Sequence, residues 1–261
     1  MTRHERLNAL LEFLARDGQL DVHTVAAELD VSTATIRRDL DHLAQQQMLT
    51  RTRGGAVSGG VSYDLPLRYK TARHASNKQR IGTAAASLAS PGITVGLNGG
   101  TTTTEVARAL ATRIDLRGND NEPGITVVTN AVNIANELTV RSHVKIVVTG
   151  GVARAQSYEL IGPLAANILS ELTIDLVFLG ADGVDAEAGA TAHNEAEAST
   201  NALMASRAKK VVVVADSTKL GNRAFARICD ISMVGVLITD SDATDTMIAP
   251  FTDAGLEVVR A

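Results

Sequence analysis

Arginines and hydroxyl residues crowd one short segment of this chain: Ser32, Thr33, Thr35, Arg37 and Arg38 stand close together, and Arg51 and Arg53 follow soon after. Guanidinium forks meet guanine edges and phosphate oxygens bidentately, and hydroxyls reach both. A second set lies in Asn98-Gly99-Gly100-Thr101-Thr102-Thr103-Thr104. Glycines and threonines that open a helix make a cradle of backbone amides and hydroxyls suited to an anion. The cradle lacks the glycine-lysine pair of a P-loop and the three-glycine dinucleotide fingerprint, which disfavours nucleotide hydrolysis. Each set also has a purely structural reading. The arginines would be a solvated face paired with Asp39 and Asp41, and the threonines would serve only their own backbone.

The elements that must position the first set are legible around it. Asp21 can cap a helix whose apolar face is Val22, Val25, Ala26 and Leu29, and Asp30-Val31-Ser32 turns the chain into a second helix from Thr33, with Ser32 as its N-cap. Ile36, Leu40 and Leu43 then face inward at helical spacing and leave Thr33, Thr35, Arg37 and Arg38 off the buried stripe. Leu49 to Ala56 alternates arginines with small residues and ends in a glycine pair, as a hairpin does. Period-two spacing predicts Arg51 and Arg53 on one side of that ribbon. Two short helices, a tight turn and a basic hairpin, with the helix-turn-helix at about 20–39, are the layout of a winged helix-turn-helix whose second helix enters the major groove of double-stranded DNA.

The chain has 261 residues, 45% of them hydrophobic, enough for one small and one medium domain of a soluble protein. Its net charge of −4 requires any electrostatic footprint for DNA to be local. Arg51, Arg53, Arg68, Lys70, Arg73, Lys78 and Arg80 supply one, opposed only by Asp64. Cys229 has no thiol partner and reads as a core residue. The six histidines lack ligand spacing, so no metal and no cofactor is expected. No apolar run is long enough to span a membrane, and Arg3 to Arg6 open an amphipathic helix, so a cytoplasmic location is expected.

Residues 1–57 form the winged domain, 58–77 a glycine-, proline- and base-rich linker in which Tyr63, Leu65, Leu67 and Tyr69 alternate, and 78–261 a second domain. In the second domain β-branched runs at 93–97, 125–129, 144–149, 176–180, 211–215, 234–239 and 256–259 alternate with helical patterns, which predicts an α/β fold with a largely parallel sheet. Small and polar residues follow the runs: Asn98 to Thr104, Asn130, Gly150-Gly151, Ala181-Asp182-Gly183, Asp216 to Lys219, and Asp240. Ligands bind at that carboxyl edge in open α/β sheets.

With these residues in view, the chain resembles the DeoR family of bacterial transcriptional regulators. The resemblance is carried by ERLNALLEFLARDGQLDVHTVAAELDVSTATIRRDLDHLAQQQMLTRTRGGA and, beyond Lys78, by NGGTTTTEVA, VVTNAVNIANEL, VVTGG, LGADGVDAEAG and VVVVADSTKLG. It implies a second domain of the ribose-5-phosphate isomerase type that senses a phosphorylated sugar, with the threonine loop on the phosphate and Asp182, Glu195 and Lys219 facing the sugar. Two departures stand out. Asn98 occupies a position where the family commonly has aspartate, and Gly189 to His193 lack the lysine of the isomerases. The resemblance implies a non-enzymatic repressor of carbohydrate genes that an effector releases from its operator, and two-fold operators call for a homodimer or homotetramer. The alternatives are a sugar-phosphate isomerase with an appended DNA-binding domain, in which Glu195 is the base, and a winged helix that docks RNA or protein.

Overall fold

The computed structural model describes residues 1–45, 48–58, 67, 74–118 and 123–261, in two compact units, Met1–Arg73 and His74–Ala261. Tyr63, Leu65 and Tyr69 of the alternating stretch lie outside the described residues, as do Arg68, Lys70 and Arg73.

In the first unit α1 (Arg3–Asp17) starts from a capping box, in which the Thr2 hydroxyl accepts from Glu5 N–H and the Glu5 carboxylate accepts from Thr2 N–H, and stops at Gly18 in the left-handed region. Strand β1 (Gln19–Asp21) leads into α2 (Val22–Glu28), where the Asp21 carboxylate accepts from the N–H groups of His23 and Thr24. The turn at Asp30, itself left-handed, delivers the chain to α3 (Thr33–Gln45). Strands β2 (Leu49–Arg51) and β3 (Gly55–Ser58) form the hairpin, and β1 pairs with the other side of β3, so the sheet order is β1-β3-β2. Leu10, Ile36, Leu40, Leu43 and Ala56 are fully buried between helices and sheet. Gly55 is required there by close approach, because a Cβ on it would lie 1.7 Å from the Leu20 carbonyl oxygen.

The second unit opens with α4 (Ala75–Ala86), which starts ahead of the boundary expected at Lys78. Its main sheet contains β4 (Thr94–Leu97), β5 (Ile125–Thr129), β6 (Val144–Val148), β9 (Ile174–Leu179), β12 (Ala208–Val214), β14 (Val234–Thr239) and β15 (Glu257–Arg260). They correspond to the seven β-branched runs, and every pairing is parallel. The order is β15-β14-β12-β9-β4-β5-β6. Alternate residues of each strand enter opposite cores: Val212 and Val214 pack with α4, α5 (Thr101–Thr112) and α6 (Val132–Leu138), while Val211 and Val213 pack with α7 (Pro163–Ser170), α8 (Glu195–Ser206) and α9 (Asp245–Asp253). Two small sheets were not foreseen: the hairpin of β7 (Val152–Ala153) with β8 (Leu160–Ile161), and β10 (Gly183–Asp185) with β11 (Gly189–Ala192) and β13 (Ala226–Cys229). Cys229 is buried, and burial pushes its thiol up to about 11, as suits a core residue.

The order matters for position. The chain builds outward from β4 through β5 to β6, then returns to the other side of β4 and builds from β9 to β15. β4 and β9 therefore flank the point where the direction reverses, and the carboxyl ends of these two strands frame the crevice.

Two candidate surfaces

On α3, Ile36, Asp39, Leu40 and Leu43 are buried while Ala34, Arg37, Arg38 and Asp41 are exposed at spacings of three and four, on one face. Arg37 and Arg38 do not pair with Asp39 and Asp41. The Asp39 carboxylate is buried against Arg6 of α1 at 2.5 Å, with Arg3 at 3.5 Å, and Asp41 holds Arg51 at 2.8 Å. The Ser32 hydroxyl accepts from Thr35 N–H at 3.1 Å and meets the Thr35 hydroxyl at 2.9 Å. The Ser32 hydroxyl thus serves as the helix cap and engages the Thr35 hydroxyl, and Thr33 is half-buried. The hairpin differs from expectation in one respect. Its strand ends at Arg51, so Arg53 lies exposed in the turn and the two arginines do not share a ribbon face. Arg51 also donates to the Gly55 carbonyl. Ala34 is the residue that sequence reasoning passed over, although its spacing from Arg37, Arg38 and Asp41 was available.

The basic run is less available than its composition suggests. Lys78 is buried, and Arg80 donates to the Ala261 carbonyl, Asn77 and Ser241 inside the second unit.

At the carboxyl edge of the main sheet, Asn98 is buried and joins the two strands that flank the reversal. Its Nδ2 donates to the Gly180 carbonyl at 3.0 Å, and its Oδ1 accepts from Gly180 N–H at 2.8 Å. An amide satisfies a donor and an acceptor at once, which a carboxylate at this position would not. Gly99 N–H donates to Glu159 Oε1 at 2.6 Å, and a Cβ on Gly99 would lie 2.4 Å from Glu159 Cγ. Asn201 Nδ2 donates to both Glu159 oxygens at 3.2 and 3.3 Å, and Asn130 Nδ2 donates to Asn201 Oδ1 at 3.1 Å. Asn130 Oδ1 is buried without a hydrogen-bond partner. Glu197 lies beside this chain, paired with Arg154 at 2.8 Å. Burial, then the Glu197 charge and more weakly that of Asp182, push the Glu159 carboxyl up to about 8 against the opposing hydrogen bonds from Asn201 and Gly99.

Gly100, with φ 147°, starts α5 in a conformation open only to glycine. The Thr103 and Thr104 hydroxyls both turn back to the Gly100 carbonyl, Thr102 is buried, and Thr101 is half-buried. Two of the threonines thus hold the turn. Asp182 accepts from His193 N–H at 3.0 Å and closes the β10–β11 hairpin. Glu195 is exposed in the first turn of α8, and Glu197 is the acid of that turn that is buried. Lys219 is half-buried in a 3-10 turn (Ser217–Lys219) after β12, one strand beyond β9. Glu159, Glu197, Asn201 and Arg154 were missed. Glu197 and Asn201, four residues apart on a helix face otherwise lined by Ala198, Met204 and Ala205, were the readable signal.

A groove of about 470 Å³ between α4 and α5, lined by Thr83, Glu105, Arg108 and Arg113 among others, contains none of these strand-end residues. Among the described residues no cluster of acids, histidines or cysteines could hold a metal ion, and no helix is long and apolar enough to cross a membrane.

A DeoR-like helix-turn-helix domain matches residues 6–59, and a DeoR C terminal sensor domain matches residues 73–241. The chain is 29% identical to the glycerol-3-phosphate regulon repressor of Escherichia coli (strain K12), covering 99% of each. It is 32% identical to the HTH-type transcriptional repressor GlcR of Bacillus subtilis (strain 168), covering 92% of this chain and 89% of that one. Among solved structures, a ribose 5-phosphate isomerase A from Methanocaldococcus jannaschii aligns with a TM-score of 0.39 at 20% identity, covering 54% of this chain and 52% of that one.

Proposed function

We propose, from the premise that the chain belongs to the DeoR family of transcriptional regulators, that it represses genes of carbohydrate metabolism and that a phosphorylated sugar or related metabolite controls its hold on the operator. It is a DNA-binding regulator and not an enzyme, as its relatives are. One observation carries the reading: the exposed Ala34, Arg37 and Arg38 face of α3 and the buried polar crevice at Asn98, Gly99 and Glu159 occur in the same chain, in separate units.

In this reading α3 lies in the major groove. Arg37 and Arg38 reach guanine edges or phosphates, and the Ala34 methyl meets a thymine methyl. Ser32, Thr33 and Thr35 hold the start of that helix against the backbone, and Arg51 and Arg53 straddle the neighbouring phosphates. In the second unit the free N–H groups at the start of α5, beside Gly100, Thr101, Thr102 and Thr103, receive the phosphate. Asp182, Lys219 and Glu195 lie toward the rest of the ligand, with Glu195 the most peripheral. Release requires the effector to bind the DNA-free conformation more tightly, since equal affinity for both shifts nothing. A two-fold operator is met by a homodimer or homotetramer.

Arg37→Ala or Arg38→Ala weakens operator binding by about 1–3 kcal/mol and relaxes specificity at one base pair, as a mobility-shift titration on operator variants reads out. Arg51→Ala costs less, because in the free protein its cation is already held by Asp41. Unchanged binding in both Arg37 and Arg38 variants removes α3 from the groove. The controlling experiment is the same mobility shift with a panel of aldose, ketose and polyol phosphates. One of them releases the wild-type protein, whereas Thr102→Val with Lys219→Ala keeps operator binding and loses the response. A double variant that still responds normally places the phosphate elsewhere.

A further inference from the structure

Glu159 lines the crevice without a stated part in holding the ligand, yet it is deeply enclosed there, 2% exposed. Its backbone is pinned on both sides. Arg154 N–H donates to the Glu159 carbonyl, Val132 N–H to the Tyr158 carbonyl, and Leu160 N–H to the Asn130 carbonyl. Tyr158 is held in the left-handed region, a conformation unusual outside glycine, to turn the β7–β8 hairpin so that Glu159 points at Gly99. The backbone that carries the carboxyl group is therefore held, and Gly99 N–H and Asn201 Nδ2 hold the group itself.

Among the described residues, the charges around it leave no cation for it. On α8, Glu197 is paired with Arg154 from the β7–β8 hairpin. After β9, Asp182 accepts from the backbone of His193. From the loop after β4 and from α8 come only neutral donors, Gly99 N–H and Asn201 Nδ2. An anion bound at the amides immediately following Gly99 would add negative charge beside a carboxyl that has no counter-ion among the described residues. In a low-dielectric crevice two such charges repel strongly, and the cheaper state keeps that carboxyl neutral.

We propose that Glu159 makes effector sensing proton-linked: the anionic group of the effector is bound together with a proton that remains on the Glu159 carboxyl. The inference rests on the reading of the α5 loop as the anion site. The protonated acid keeps its acceptor oxygen on Gly99 N–H and turns an O–H into the crevice, as a buried neutral carboxylic acid does when it serves as a donor. Because burial already pushes this group up to about 8, the free protein holds the proton at neutral pH and loses it above that value. Affinity for the anion is then constant below that pH and falls as the pH rises through it, by up to about tenfold per pH unit.

Sulfate is the probe, because it stays a dianion across this range and any proton taken up must come to the protein. Calorimetric titration of the full-length wild-type protein with sulfate, in buffers of different ionisation enthalpy, is expected to show almost no proton uptake near neutrality. At about pH 9 uptake approaches one proton per sulfate, with affinity about tenfold lower. Glu159→Gln retains an acceptor for Gly99 N–H and cannot titrate. It is expected to bind sulfate with no pH dependence, and at about pH 9 about tenfold more tightly than wild type. Wild-type uptake is read without any variant, so a poorly folding Glu159→Gln does not blunt the test. Sulfate binding that is lost in Thr102→Val with Lys219→Ala, but shows no proton uptake and no loss at high pH in the wild type, overturns the role of Glu159 and leaves the anion site standing. Binding that survives the double variant, or is absent at every pH, overturns the anion site and this inference together.

Discussion

Gly99→Ala abolishes the effector response while operator binding stays intact. The added methyl would sit 2.4 Å from Glu159 Cγ and 2.8 Å from Glu159 Oε1, and because backbone hydrogen bonds tie down the hairpin that carries Glu159, only the Gly99 loop or that side chain can give way. Either the loop after β4 moves off its strand or the carboxyl is driven across the crevice. Overpacking of this kind costs about 1–3 kcal/mol, and at the upper end that is about a hundredfold in effector affinity. The winged unit has its own core and does not share these residues. Mobility shift is therefore expected to give a wild-type operator affinity and no release by the sugar phosphate that releases wild type. A response within about twofold of wild type would mean that Gly99 and Glu159 are not where the effector is read.

The second large effect is expected at Gly55→Val, in the other unit. The Cβ would lie 1.7 Å from the Leu20 carbonyl oxygen and 2.7 Å from its carbon, both backbone atoms of the adjacent strand. Gly55 faces Asp21 in the β1–β3 ladder, and the residue after it, Ala56, is fully buried. The ladder that joins the N-terminal helix to the hairpin would have to separate, at about 3 kcal/mol or more, a large share of the roughly 5–15 kcal/mol that stabilises a domain. Operator binding is expected to vanish and the thermal transition of the winged unit to fall or disappear. Effector binding by the second unit, measured by calorimetry, remains. An unchanged operator affinity would show that β1 does not pack on the hairpin as described.

What the sequence disclosed follows a physical divide. Periodicity reports burial, so Ile36, Leu40 and Leu43 on α3 and the seven β-branched runs of the main sheet were legible, and Asp21 and Ser32 announced their helices as caps. Tertiary pairing is not periodic. Nothing local in the chain says that Asp39 turns inward to Arg6 across thirty-three positions of sequence, or that Glu159 meets Gly99 across sixty. For the same reason the threonine loop looked richer in free hydroxyls than it is, since the bonds from Thr103 and Thr104 to the Gly100 carbonyl depend on a backbone angle that composition does not carry. The two acids at the start of α8 were equally exposed as text. Only the helix phase separates the buried Glu197 from Glu195.

The ion pair of Arg51 with Asp41 bears on how such a protein would find its operator in a genome. An arginine that must leave a carboxylate before it meets a phosphate gains up to about 1 kcal/mol less from each contact, and it leaves an uncovered acid facing the duplex. On random DNA, where binding is almost wholly electrostatic, that deficit shortens every visit. At the operator, base edges that random sequence does not offer would have to make up the difference through α3, if it lies in the groove as proposed. A hairpin cation tethered in this way lowers binding to random DNA and to the operator by the same factor, so the ratio of specific to non-specific occupancy is left entirely to the base contacts of α3.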